Sequence, residues 1–348
     1  MEYFNTSIHT PEGVGLYTLL QVLKVLLASV SQLEEDFRKS LQKDLLALVT
    51  RFSITPELIS TAIDIATIVS WLQSGGRGKK PPPTPKKMAS TASSEVNLHS
   101  LVDLTAYHAN LEEWAGAIIE EIDAELGKRV LSPEKAEHED ERMTRQIFTL
   151  GELAQICPHK INKRLFLLMQ GIVFQQGTKR RRKDLPSSQT QVIFEIVYVL
   201  NFDFSMVSIF QSNEPVQPSF TPTTKLQALS VITLAKMCLQ NEDMAKRVVP
   251  AFGRLLDTTS DAALKNNIMY ALSDMCVRYA SLVDPLLPQM TACLRDPTLV
   301  VRRTTLTTLI HLLQEDYLKM NARFFFRILQ AMCDESDEIK VRLFVMIF

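Results

Sequence analysis

An all-α protein built as an α-solenoid is what this sequence predicts, and three observations carry that reading. Leucine, alanine, glutamate and lysine fill segments whose apolar residues recur every three or four positions, the helical period. Glycine is scarce, at 11 in 348 residues, which argues against a turn-rich β protein. The last third of the chain repeats itself at close to 40 residues, as stacked helical hairpins do. The hydrophobic share of 46% is enough for a sizeable core. The net charge of -1 leaves no global field to draw nucleic acid or an acidic membrane, so any such contact must come from local patches.

Residues 1–73 form the first helical block. Residues 14–30 are apolar but interrupted by Gln21 and Lys24, which predicts a buried helix rather than a membrane span. Leu33, Phe37, Leu41, Leu45 and Leu48 share one face of the next helix. Thr55 and Pro56 then supply an N-cap and first-turn pair for a helix through Leu72. Residues 74–97 are rich in proline, lysine and serine with no apolar period, and predict a disordered linker.

The second helical block is 98–176. Leu101, Leu104, Tyr107, Leu111, Trp114, Ile118, Ile122 and Leu126 make one stripe. A charged run then leads into IFTLGELAQIC, which Pro158 ends, and residues 161–175 are the antiparallel partner expected across a short connection. Residues 177–223 hold a basic loop and an irregular insert. Within them, 191–210 is dense in β-branched and aromatic residues, and a strand, a buried helix and an inserted segment all stay open.

Residues 224–348 carry the repeat. Four helices open on a basic residue, Lys225, Lys265, Arg302 and Lys340, at intervals of 40, 37 and 38 residues. Aspartates precede three of them, at Asp257, Asp296 and Asp334. This period, with two helices in each repeat, predicts a HEAT or armadillo stack in which each hairpin buries its second face on the next. Asp296 is placed to cap the helix after it. Arginine near a helix N-terminus opposes the macrodipole. Arg302 is therefore expected to pair with the turn aspartate of an adjacent repeat, giving a ladder of contacts along the turn layer. Arg303 is left to solvent or a partner.

Nothing in the chain predicts catalysis, a metal or a cofactor. The five cysteines lack C-x-x-C spacing and read as reduced core residues. The stretch GGRGKK at 75–80 lacks the strand and helix that frame a phosphate loop. The six histidines are scattered without ligand spacing, and His311 reads as a packing or surface residue. Lys179, Arg180, Arg181, Arg182 and Lys183 form a basic run suited to a nuclear signal or to DNA phosphates. Thr84 and Ser132 each precede a proline with lysine nearby, the minimal pattern of a cyclin-dependent kinase target.

Four long tracts carry a resemblance. TRQIFTLGELAQICPHKINKRLFLLMQ (144–170), LSVITLAKMCLQNEDMAKRVVPAFGRLL (229–256), KNNIMYALSDMCVRYASLVDPLLPQMTACLRDP (265–297) and LLQEDYLKMNARFFFRIL (312–329) resemble the HEAT-repeat D-three subunits of condensin II. The resemblance covers a little under half the chain. Family members are several times longer, which implies a fragment or truncated product, and their pattern has a polar spacer where 191–210 stands. The resemblance implies a non-catalytic HEAT scaffold in the nucleus and on chromosomes. Its implied partners are the kleisin and SMC subunits of condensin II, with DNA or chromatin met through basic patches and no membrane. The other function compatible with such a stack is a different HEAT or armadillo adaptor, such as a nuclear transport receptor or a phosphatase scaffold.

Overall fold

The computed structural model describes residues 13–76, 98–131, 140–174, 222–319 and 322–347. They are helical throughout, with no strand among them. They group into two compact units that divide between Asn162 and Lys163. That division falls inside the block 98–176 drawn from the sequence. The linker beyond Gly76, the basic loop and the 191–210 stretch lie outside the described residues.

The N-terminal unit contains α1 (Gly13–Ser29), α2 (Glu35–Thr50), α3 (Pro56–Gln73), most of α4 (Leu98–Leu131) and α5 (Asp140–Ile156). Helix α3 is its centre and packs against α1, α2 and α5. It is apolar nearly all round, as a helix with neighbours on several sides must be. Ser70, fully buried, is the centre of a polar cluster on it. The Gln42 amide donates to the Ser70 hydroxyl at 2.8 Å and to the Ala66 carbonyl at 3.0 Å, and the Trp114 indole donates to the same hydroxyl at 3.1 Å. Where α2 ends, Phe52 takes φ 51°, the left-handed conformation that closes a helix. Arg142 donates to the Arg51 carbonyl and Arg145 to the Phe52 carbonyl, so two cations satisfy the negative end of α2. Glu125 of α4 holds Arg142 in place through two bonds, at 2.8 and 3.3 Å.

The C-terminal unit is a two-layer α-solenoid. One layer stacks α7 (Thr224–Leu239), α9 (Ala262–Val283), α11 (Leu299–Gln314) and α13 (Asp337–Ile347), each on the next. The other stacks α8 (Glu242–Thr258), α10 (Leu287–Ala292) and α12 (Ala322–Gln330). Helix α6 (Lys163–Phe174) packs on α7. Capping fixes where several helices begin. Thr223 Oγ1 accepts from Leu226 N–H, Asn241 from Asp243 and Met244 N–H, and Asp261 from Leu264 N–H at 2.7 Å. Helix α9 breaks at Tyr279 (φ -138°, ψ 59°), and the hydroxyl of that residue donates to the Leu239 carbonyl at the end of α7.

Four sequence expectations change. Helix α1 is not a buried helix. Leu19, Leu23 and Val30 are buried, but Tyr17, Val22 and Val25 face outward, because only one stripe can reach α3. The window Gly15–Gln32 is long and apolar enough to cross a membrane, by length and composition alone, with 17% of it buried. Phe37 keeps its place on the stripe with Leu41 and Leu45 but is exposed. Thr55 stands at the N-cap with extended backbone, but its hydroxyl takes no capping bond. Cys333 is exposed, whereas the other four cysteines are buried; all five are free thiols.

Arg142→Ala should destabilise the N-terminal unit by about 2 kcal/mol, because it strips a carboxylate and a helix-end carbonyl of their shared donor. Urea denaturation followed by far-ultraviolet circular dichroism checks this; an unchanged midpoint refutes the clamp.

Candidate functional site

The turns ahead of α11 and α13 are where charged side chains are drawn out of solvent. Asp296 closes the turn ahead of α11 by accepting Thr298 N–H at 2.9 Å. It does not cap the helix as expected, since Thr298 occupies the N-cap position. Its other oxygen meets the ammonium of Lys265, in the first turn of α9. The next repeat does the same. Asp334 accepts Ser336 N–H at 2.8 Å, and Arg302 of α11 forks onto both its oxygens at 2.8 and 3.2 Å. Both aspartates are nearly buried, with side chains 5% and 8% exposed, so these are not solvated surface pairs.

Arg302 also donates to the Asp296 carbonyl at 2.8 Å and to the Pro297 carbonyl at 3.2 Å. Those acceptors offset the unfavourable helix field at this position. One guanidinium therefore touches the turn of its own repeat and the carboxylate of the next.

Three placements differ from the sequence reading. Arg303 pairs with Glu338 at 3.0 Å, giving α11 a second link to α13 rather than an arginine left to solvent. Asp257 does not sit in a turn. It is exposed in the last turn of α8, and Asp261, four residues later, caps α9 instead. Lys265 and Glu338 were missed as ladder residues. Lys265 stands in the same register as Arg302, which was signal enough, whereas Glu338 lies one residue into a helix and no spacing marks it.

Further polar links tie each layer. Arg327 of α12 donates to the Pro288 carbonyl at 2.9 Å and to Thr291 Oγ1 at 2.8 Å on α10. Asn267 of α9 donates to the Ala228 carbonyl of α7 at 2.7 Å. Outside these links, the α7–α13 layer presents Tyr270, Asp274 and Val277 on α9 and Val300 and His311 on α11 to solvent.

Protonation follows the same geometry. Burial pushes the carboxyl of Asp296 up, but the Lys265 ammonium and the Thr298 amide together outweigh it and hold it below the ordinary aspartate value. Asp334 is likewise pushed up by burial, and Ser336 N–H and Arg302 together outweigh that and hold it below the ordinary aspartate value. Burial raises the thiols of Cys157, Cys276 and Cys293 to about 11, so they are not activated nucleophiles. Among the described residues no group of three or more His, Cys, Asp or Glu is placed to hold a metal. The basic run Lys179, Arg180, Arg181, Arg182, Lys183 and the residues Thr84 and Ser132 lie outside the described residues.

Comparison with known proteins supplies the family context. Residues 140–198 and 203–256 match the family described as condensin-2 complex subunit D3-like HEAT repeats. Residues 263–347 match the family of non-SMC mitotic condensation complex subunit 1. The D3-like match is interrupted at 199–202, inside the stretch 191–210. The chain is 33% identical over 231 residues to "Condensin-2 complex subunit D3" of Mus musculus, covering 66% of this chain and 14% of that protein. It is 33% identical over 236 residues to "Condensin-2 complex subunit D3-L" of Xenopus laevis, again 66% and 14%. To "Condensin-2 complex subunit CAP-D3" of Arabidopsis thaliana it is 43% identical over 115 residues, 33% of this chain and 9% of that protein.

Asp296→Ala should cost about 3 kcal/mol, because it leaves the Lys265 ammonium poorly paired and part-buried. Hydrogen exchange should quicken in both α9 and α11; a change confined to α11 contradicts the cross-repeat link. Because both carboxyls titrate below their ordinary value of 3.8, the stability they confer is full above that value and is lost as pH falls through the lower, folded value. Melting temperature should therefore drop between about pH 4 and pH 2, and the Asp296→Asn, Asp334→Asn double variant should flatten that drop.

Proposed function

The chain belongs to the D3-like HEAT-repeat family of condensin II subunits, and from that membership we propose that it is a non-catalytic scaffold acting in chromosome condensation. The observation that carries the reading is the open two-layer stack, matched along its length by condensin subunit repeats. A stack of this kind presents a long outer surface for partners. Its work is to hold other molecules in fixed relation, while the ATP chemistry belongs to the SMC partners.

The partners we assign are the kleisin and SMC subunits of condensin II. The exposed row on the α7–α13 layer, with Tyr270, Asp274, Val277, Val300 and His311, mixes apolar and polar groups as a binding surface for an extended segment does. DNA is met through the basic run from Lys179 to Lys183, which contacts phosphates and reads no sequence. The setting is the nucleus and the chromosome. Thr84 and Ser132 are the proposed cyclin-dependent kinase sites, where phosphate adds about −1.5 to −2 charge.

Co-purification with a condensin II kleisin tests the scaffold reading. Retention through a salt wash supports it, and failure to retain any kleisin while the chain stays folded overturns it. Replacing Lys179, Arg180, Arg181, Arg182 and Lys183 by glutamine should weaken duplex DNA binding and flatten its salt dependence by about 4 in the log–log slope. An unchanged slope removes the run from the DNA contact.

A further inference from the structure

We infer that the groove between the first turns of α7 and α9 receives an aspartate or glutamate side chain from an extended partner segment, with Lys225 as its cation. This deepens the scaffold reading and rests on it, since it states which chemistry a bound segment must carry.

The turns that precede α9, α11 and α13 are built alike. Asp296 accepts the N–H of Thr298 at 2.9 Å, and Asp334 accepts that of Ser336 at 2.8 Å. In the turn before α9 the Thr259 hydroxyl accepts the N–H of Asp261 at 3.2 Å, again two residues on. Thr259 lies six residues before Lys265, as Asp296 lies six before Arg302. Thr259 is therefore the counterpart of the turn aspartates, with a neutral hydroxyl in place of the carboxylate. The cation in register with it is Lys225, in the first turn of α7, as Lys265 and Arg302 are in the first turns of α9 and α11. Lys265 meets Asp296, and Arg302 meets Asp334. Lys225 is exposed and, among the described residues, pairs with no carboxylate; neither Asp257 nor Asp261 bonds to it. The helix field disfavours a cation at this position, and no acceptor offsets it.

The vacancy has room beside it. A groove of about 390 Å³ opens here, lined by Lys225 and Leu229 of α7 and by Asp261, Ala263 and Asn267 at the start of α9. Short side chains keep it open, since Ala263 stands in the register where α11 carries Val300. Asn267 donates to the Ala228 carbonyl at 2.7 Å, and its side-chain oxygen is left to accept a backbone N–H. Asp261 gives one carboxylate oxygen to the Leu264 N–H at 2.7 Å and repels an acid from its own wall. An incoming carboxylate therefore seats against Lys225. The groove offers a cation for one acidic side chain, an acceptor for a backbone N–H and an apolar wall at Leu229, which together suit an extended acidic peptide.

Titration of the full chain with the condensin II kleisin tests this. Lys225→Gln should weaken binding roughly tenfold, and Lys225→Arg should restore it. Thr259→Asp supplies the missing carboxylate from within, so it should weaken the kleisin to a similar extent while raising the melting temperature by about 2 °C. A loss of binding that accompanies a gain in stability excludes misfolding as its cause. Kleisin bound equally by the wild type, Lys225→Gln and Thr259→Asp overturns this proposal and leaves the scaffold reading standing. No kleisin bound by any form overturns both. If Lys225→Gln weakens duplex DNA binding and leaves kleisin affinity unchanged, the lysine serves phosphates and the proposal falls.

Discussion

A helical hairpin cannot bury both of its apolar faces by itself, and the C-terminal unit is organised around that constraint. Helix α7 is covered on both sides, by α6 and α9, which is why ten of its sixteen residues are buried. Such burial is non-directional and sets no register. A hairpin could slide by a helical turn along its neighbour and hide a similar area. The polar links remove that freedom. A carboxylate removed from water tolerates only the position in which its cation and its backbone donors reach it, so the turn layer supplies the register that the core lacks.

The solenoid was legible because its signal is redundant. A period near 40 residues recurs in the basic residues and in the aspartates, and the apolar pattern agrees with both. Arg302 drew notice because it offends the helix field, and a residue that breaks a local rule is held by something outside its own helix. The partners on the far side were harder to read. Asp257 has the right spacing but the wrong place, because α8 runs on through Thr258 and keeps Asp257 inside the helix, so the capping role passes to Asp261.

Side-chain exposure at the margins of each unit was the least legible property. Periodicity shows that a stripe exists, but not whether a neighbour covers it. Phe37 lies on an apolar face and is exposed; Val22 and Val25 sit in an apolar segment and are exposed because α3 reaches only one side of α1. Cys333 likewise follows a buried alanine in an apolar run yet faces solvent. Four of the five cysteines do match the expectation of an inert core thiol, and burial is the cause both of their inertness and of their raised ionisation.

The two carboxylate pairs differ in one chemical respect with a mechanical result. Lys265 offers Asp296 a rotatable ammonium, a point charge that keeps its attraction while the partners swivel. Arg302 offers Asp334 a planar fork that engages both oxygens and loses one bond as soon as the planes tilt. The joint between α9 and the Asp296 turn therefore twists more easily than the joint between α11 and the Asp334 turn. A load along the row would be taken up at the lysine joint, and the arginine joint would behave as a rigid splice.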